Sequence, residues 1–374
     1  MKVRDLQHDL LPRLSEEDRS RQRAVVSLRR AISGKLRNRN LQLYETEGAP
    51  AFAAAHDRQP QSPDEMEQAF FASQRYRMWS AMGRASQEMI WLSVGEPALN
   101  DMARIQARAA DLAAAPDRKG ALHLDPTHTP SPEVADIDIH LQPGGYALNR
   151  SEDDLLAGVL YETGGNIYTF GQGIGKGDSK AGSIIRHIEA TYPDFKPTRI
   201  LDLGCSAGAA SCAYAAHYPD AEVHAGDIGA GMLRYAHARA EALGLAVEFH
   251  QLDSSDLSKF ETGYFDLVVS HNLFHEIGAE KRALTMKEAA RVTRSGGLVI
   301  HQDVPTRFEP TLIEQVERAW DTKYNGEDFW GVYANDDLKA EMRAAGFSDD
   351  RLHEMRLTKV DGVGGWYVLA GERA

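Results

Sequence analysis

The sequence predicts an α/β protein: a mainly parallel sheet closed by an antiparallel strand pair, preceded by a mainly helical N-terminal region. Two observations predict the sheet. From about residue 180 onward, short apolar runs alternate with helical patterns, as expected where helices cover both faces of parallel strands. One of those runs ends in a glycine-rich turn, Leu203-Gly204-Cys205-Ser206-Ala207-Gly208, that opens a helix. A third observation concerns the first 150 residues. There the apolar residues recur at helical spacing and no such alternation is seen. The division falls at residue 150, giving an accessory region 1–150 and a ligand-binding domain 151–374.

Residues 13–39 hold many arginines interrupted by Glu16, Glu17 and Asp18, which reads as a solvated helix face. Residues 45–63, rich in Ala, Pro, Gly and Gln, read as a linker. Ser62-Pro63-Asp64-Glu65 is a helix start, with a capping serine, a first-turn proline and an acid three residues on. The helix it opens carries Met66, Phe70, Trp79, Met82, Met89 and Ile90, a stripe for a core or a dimer seam. A second helix is expected after Pro97, bearing Leu99, Met102 and Leu112 and ending near Pro116. Residues 116–150 read as mostly irregular.

Strands are expected near 199–203, 222–226, 247–251, 265–270 and 298–302. A helix capped by Asn335 and ended by Gly346 follows, then a closing pair of strands near 351–358 and 365–371.

The glycine turn and Asp227, at the tip of the next strand, form an arrangement suited to an adenosine. Small residues admit the ligand to the main chain, and the carboxylate accepts from ribose hydroxyls. A nicotinamide fingerprint requires Gly-x-Gly-x-x-Gly, whereas here Gly204, Ser206 and Gly208 are followed by alanine. The element instead resembles the first motif of class I S-adenosylmethionine-dependent methyltransferases, and the resemblance continues in order over about residues 160–374. Asp227-Ile228-Gly229-Ala230-Gly231-Met232 is similar to that family's ribose-binding strand end. Leu252-Asp253-Ser254 resembles its adenine-contacting segment, Phe265–Asn272 its fourth strand, and Ser295-Gly296-Gly297 the turn into its fifth. Ser206 departs from the glycine of many relatives.

The resemblance implies a Rossmann-like sheet and S-adenosyl-L-methionine as cofactor. Asp227, Ile228 and Met232 would lie on the ribose side, Asp253 and Ser254 by the adenine, and Asp202, Gly204, Ser206 and Gly208 near the amino-acid end. His271 and Asn272 would line the cofactor, and Tyr168 would touch its methionine end. In small-molecule members a histidine after the fourth strand acts as base, and His275 matches it. Asp303, at the end of the next strand, would orient that ring. His301 and Asp303 read equally as acceptor contacts or as a strand-end pair without chemistry. The spacing of His275, His301 and Asp303 matches no ligand motif, so no metal is assigned. The insertion Trp320–Tyr333 would roof the acceptor. The segment Gly164–Asp178 lacks the Gly-Lys-Ser/Thr ending of a phosphate loop and reads as a mobile lid over the cofactor.

A net charge of −13 disfavours a nucleic-acid partner. Cys205 and Cys212 are too few and too local for a disulfide framework, and a reducing cytoplasm fits. No apolar run approaches the ~20 residues of a membrane span, and Met1–Asp5 shows no export signal. The expected function is methyl transfer to a small molecule, with oxygen slightly favoured over nitrogen or sulfur. The N-terminal region is expected to cover the acceptor site or to build a homodimer. A protein or RNA methyltransferase docking through that region, or a non-catalytic cofactor-binding module, is the alternative.

Overall fold

The computed structural model describes residues 7–171, 179–305, 311–360, 362 and 364–374. Met1–Asp5 and residues 172–178 of the glycine-rich segment lie outside the described residues.

Eight strands form one sheet: β1 (Ala121–His123), β2 (Arg199–Leu203), β3 (Glu222–Asp227), β4 (Glu248–Gln251), β5 (Phe265–His271), β6 (Thr293–Asp303), β7 (Leu352–Thr358) and β8 (Gly365–Glu372). Their order is β1-β4-β3-β2-β5-β6-β8-β7. The first six are parallel along the sheet, β8 runs antiparallel to β6, and β7 runs antiparallel to β8. The expected class, with its closing antiparallel pair, is therefore present. β2 and β5 are buried almost throughout because helices cover both their faces. On one side Ile184, Ile188 and Tyr214 pack on Ile200 and Val269. On the other, Met286 and Met342 pack on Leu201 and Val268.

The edge strand β1 arises in the segment expected to be irregular. Its three residues carry too little pattern to be read locally, and their place is set by tertiary contacts. Glu241 accepts from the Lys119 and Gly120 amides (2.9 and 2.7 Å), and a Cβ at Gly120 would lie 2.2 Å from the Val247 carbonyl oxygen.

The N-terminal region is helical, but its punctuation differs from the expectation. The supposed linker holds the helix Ala49–His56. The helix opened by Ser62 stops at Ala72, and Ser73 caps a second one, Gln74–Asn100. Pro97 lies inside that helix, in its last turn, and the break comes at Asp101 before Met102–Ala114. Near the C-terminus the cap of Leu338–Ala344 is Asp337, whose side chain accepts from the Ala340 amide at 2.9 Å, whereas Asn335 ends the preceding short helix.

The stripe on Gln74–Asn100 is largely covered within the chain. Trp79 packs against Trp320 of the later insertion, with ring centroids 5.2 Å apart. Ile90 and Trp91 enter a core shared with Leu156, Leu160, Met232 and Tyr235. The arginine-rich segment forms Glu16–Arg30, closed by a capping box at Ser15. It is more than a solvated face: Arg29 donates to Gln87 Oε1 (2.8 Å) and lies over the Tyr168 ring.

Candidate active site

The strand order reverses between β2 and β5, so the crevice beyond their carboxyl ends is the expected ligand position. β2 runs into a turn in which Gly204, Ser206 and Gly208 have φ of +67°, +48° and +74°. A Cβ at Gly204 would approach Leu273 Cδ1 to 2.8 Å. Gly208 is required for another reason: a Cβ there would meet Ala236 Cβ at 3.0 Å, where two helices pack. Ser206 occupies the left-handed region without being glycine, which costs about 1–2 kcal/mol. Its amide donates to Asp227 Oδ2 at 2.9 Å, a charge-assisted bond that offsets much of that strain. Asp227 also accepts from the Gly229 amide (3.0 Å), and burial pushes its carboxyl above the usual range. Ile228 stands beside it, its carbonyl taken by Gln251 Nε2. Asn272, at φ +57°, donates its amide to the Gln302 carbonyl, and its buried Oδ1 has no hydrogen-bond partner among the described residues.

Other expected cofactor residues have protein partners as well. Asp202 is buried and accepts from Ser211 Oγ (2.6 Å), tying β2 to the helix behind it. His271 is buried beside Tyr214, whose hydroxyl lies 3.1 Å from Nε2. Ser254 Oγ pairs with Thr285 Oγ1, and Asp253 Oδ2 accepts from Lys281 Nζ at 2.8 Å. Met232 is fully buried and packs in the inter-helix core. Tyr168 ends the helix Leu156–Tyr168, its ring 5.7 Å from that of His140.

His275 and Asp303 do meet. Asp303 Oδ1 bonds His275 Nδ1, and its carboxylate also accepts from the Phe274 and Val304 amides. Glu276 meets the ring as well, with Oε1 at 3.3 Å from Nε2. Adjacent residues on a helix would point apart, but 273–276 is a turn. Burial by itself would lower the imidazole pKa, yet Asp303 and Glu276 outweigh it and raise it well above the ordinary value. Both ring nitrogens face carboxylates, Nδ1 toward Asp303 and Nε2 toward Glu276.

Residues not foreseen complete the site. His140 Nε2 lies 3.1 Å from Glu276 Oε1, and its Nδ1 lies 2.5 Å from Glu327 Oε1. Tyr146 donates its hydroxyl to Glu276 Oε1 (3.2 Å). His275, Glu276 and Glu327 are buried and His140 is half-buried. The donor atoms of these four lie within 4.8 Å of one another. His301, by contrast, pairs with Ser270 Oγ at 2.8 Å and is not among them. His140 and Leu141 are consecutive left-handed residues (φ +54° and +60°). The His140 carbonyl is clamped by Gln87 Nε2 (3.0 Å) and Trp91 Nε1 (2.8 Å) from the N-terminal helix. Glu327 comes from the insertion expected to roof the acceptor, and His140 comes from the segment read as irregular. The only sequence signal for His140 was the histidine, proline and glycine content of that segment.

Residues 200–297 match the family model described as a methyltransferase domain. A malonyl-[acyl-carrier protein] O-methyltransferase of Methylococcus capsulatus is 33% identical over 168 residues, covering 44% of this chain and 56% of that protein. A demethylmenaquinone methyltransferase of Thermus thermophilus is 32% identical over 168 residues, covering 41% of this chain and 75% of that protein. A ribosomal RNA small subunit methyltransferase C of an Enterobacter species is 29% identical over 133 residues, covering 34% of this chain and 37% of that protein. The chain spans about half the length of the malonyl-[acyl-carrier protein] O-methyltransferases it matches.

Proposed function

Because the chain belongs to the class I S-adenosylmethionine-dependent methyltransferases, we propose that it methylates a small-molecule acceptor held between the carboxyl ends of β5 and β6 and the segments around His140 and Glu327. The observation that carries this reading is the enclosure of that end of the sheet. His275 and Glu276 are buried beneath Glu327 of the insertion and a loop anchored by one N-terminal helix, a setting that suits a small acceptor. The acidic net charge of −13 also points away from RNA.

S-Adenosylmethionine supplies an already activated methyl group, so the chain's own task is to align the acceptor and exclude water. Gly204, whose surface a Cβ would fill, and Asn272, whose Oδ1 is buried and unpaired among the described residues, fit the cofactor's amino-acid end. Asp227 retains lone pairs for ribose hydroxyls beside its two amide bonds. Asp303 fixes the His275 ring through Nδ1, which leaves Nε2 on the side of Glu276 and the acceptor space. That placement favours an acceptor bearing a removable proton, a hydroxyl before an amine or thiol.

The test pairs calorimetry with turnover of labelled cofactor against an acceptor panel. Asp227→Ala should weaken S-adenosylmethionine binding by about 1–3 kcal/mol. Unchanged affinity, or labelled methyl appearing only on protein or RNA, would overturn the reading.

A further inference from the structure

We propose that His140, His275, Glu276 and Glu327 form a binding site for one divalent first-row transition-metal ion. One donor atom from each lies within 4.8 Å of the others. Tetrahedral ligands about 2.0–2.2 Å from a common ion stand about 3.3–3.6 Å apart, so an ion would part His140 and Glu327, now 2.5 Å apart, and draw the wider pairs of the cluster together. The alternative is three plain ion pairs, His140–Glu276, His140–Glu327 and His275–Glu276, and these leave one buried carboxylate oxygen unmet. Glu327 is 3% exposed, yet its Oε2 has no hydrogen-bond partner among the described residues. His140 Nδ1, close as it is to Glu327 Oε1, is likewise not in hydrogen-bonding alignment. Glu327 Oε2 is therefore a buried acceptor left unmet among the described residues, which is costly unless something else pairs with it.

The surroundings fit the same conclusion. Asp303 holds His275 Nδ1 and leaves Nε2 for the ion, the arrangement in which a carboxylate orients a ligating imidazole. Tyr146 performs the corresponding task for Glu276. The His140 backbone is kept in a strained conformation by two side chains of a distant helix, so the direction of this ring is over-determined. Two imidazoles with two carboxylates suit Zn²⁺, Fe²⁺, Mn²⁺ or Co²⁺, whereas Mg²⁺ and Ca²⁺ favour an all-oxygen shell.

The role of the ion toward an acceptor rests on the methyl-transfer reading above. Bound to an acceptor hydroxyl, it would release the hydroxyl proton to solvent and present the oxygen as an anion. The oxygen–carbon bond then forms as the carbon–sulfur bond breaks, leaving a methyl ether and a neutral thioether.

The experiment uses the full chain, freed of metal with a chelator and titrated calorimetrically with Zn²⁺ and, separately, with Mn²⁺ and Co²⁺. One ion per chain is expected for at least one of the three. Glu327→Gln, close in shape to the original, and His140→Ala should each weaken binding by roughly tenfold or more, with circular dichroism showing that both still fold. Absence of saturable one-to-one binding, or binding that survives both substitutions, overturns the proposal. S-Adenosylmethionine binding measured on the same samples separates the two readings. Cofactor binding and turnover without ion binding sink only the metal site, and ion binding without cofactor binding sinks only methyl transfer.

Discussion

The turn after β2 and the loop around His140 both place residues in the left-handed backbone region, but they bear the strain by different means. In the turn, two of the three residues are glycines, and the third, Ser206, is compensated by an acid 21 residues away on the adjoining strand. In the loop, neither His140 nor Leu141 is glycine. The clamps on the His140 carbonyl come from residues 53 and 49 positions upstream, and the partner loop lies past residue 320. The turn is thus supported by its own neighbourhood in the chain, whereas the loop depends on the whole assembled protein. Substitutions near the turn should act locally, and those that loosen the N-terminal helices should reach the cluster.

The largest expected effect tests whether the cluster is the reactive centre. His275→Ala should lower turnover by about 10²–10⁴-fold, whichever way this ring assists the acceptor, while cofactor affinity stays nearly constant. Steady-state kinetics alongside calorimetry would check both halves. Near-normal turnover would reduce the cluster to scaffolding and leave only the cradle as functional.

Next in size is Gly208→Ala on the side of the turn. A left-handed alanine pressed to 3.0 Å from Ala236 Cβ should cost about 2–4 kcal/mol of stability, seen as a lower denaturation midpoint. An unchanged midpoint would mean that the turn is less tightly specified than its geometry implies.

Trp91→Phe addresses the loop directly. It removes one of two donors from the His140 carbonyl while keeping most of the buried ring, and should cost about 1 kcal/mol. The comparison is sharpened if metal affinity falls a few-fold while S-adenosylmethionine affinity holds. A loss confined to cofactor binding would contradict the division between the two regions.

The smallest effect serves as a control at the amino end of β5. Burial alone would raise the Asp266 pKa, but hydrogen bonds from Thr198, Arg294 and Arg199 bring it down to about 2 from 3.8. A carboxyl depressed in the folded state contributes stability that is present above its unfolded pKa and is lost as pH falls through the folded one. Asp266→Asn should therefore destabilise by about 1 kcal/mol at pH 7, after allowance for solvent screening. The difference from the parent should vanish towards pH 2. Neither ligand affinity should change, as chemical denaturation across pH and calorimetry would show.

By itself the sequence determined the elements whose cause is local. Five parallel strands, the glycine turn, Asp227 at a strand tip and the antiparallel closing pair are written in apolar runs and residue types a few positions apart. The approach of Asp303 to His275 was legible too, because two adjacent parallel strands bring their ends to one edge. Only the tertiary structure decided the rest. Short β1 carries no readable period. Pro97 sits in a last helical turn, where it disturbs little. The four donors of the cluster lie on segments up to 187 positions apart, from His140 to Glu327. Periodicity reports which face of an element is buried, not what it is buried against, and His140 faces Glu327 because a distant helix and an insertion close over one end of the sheet.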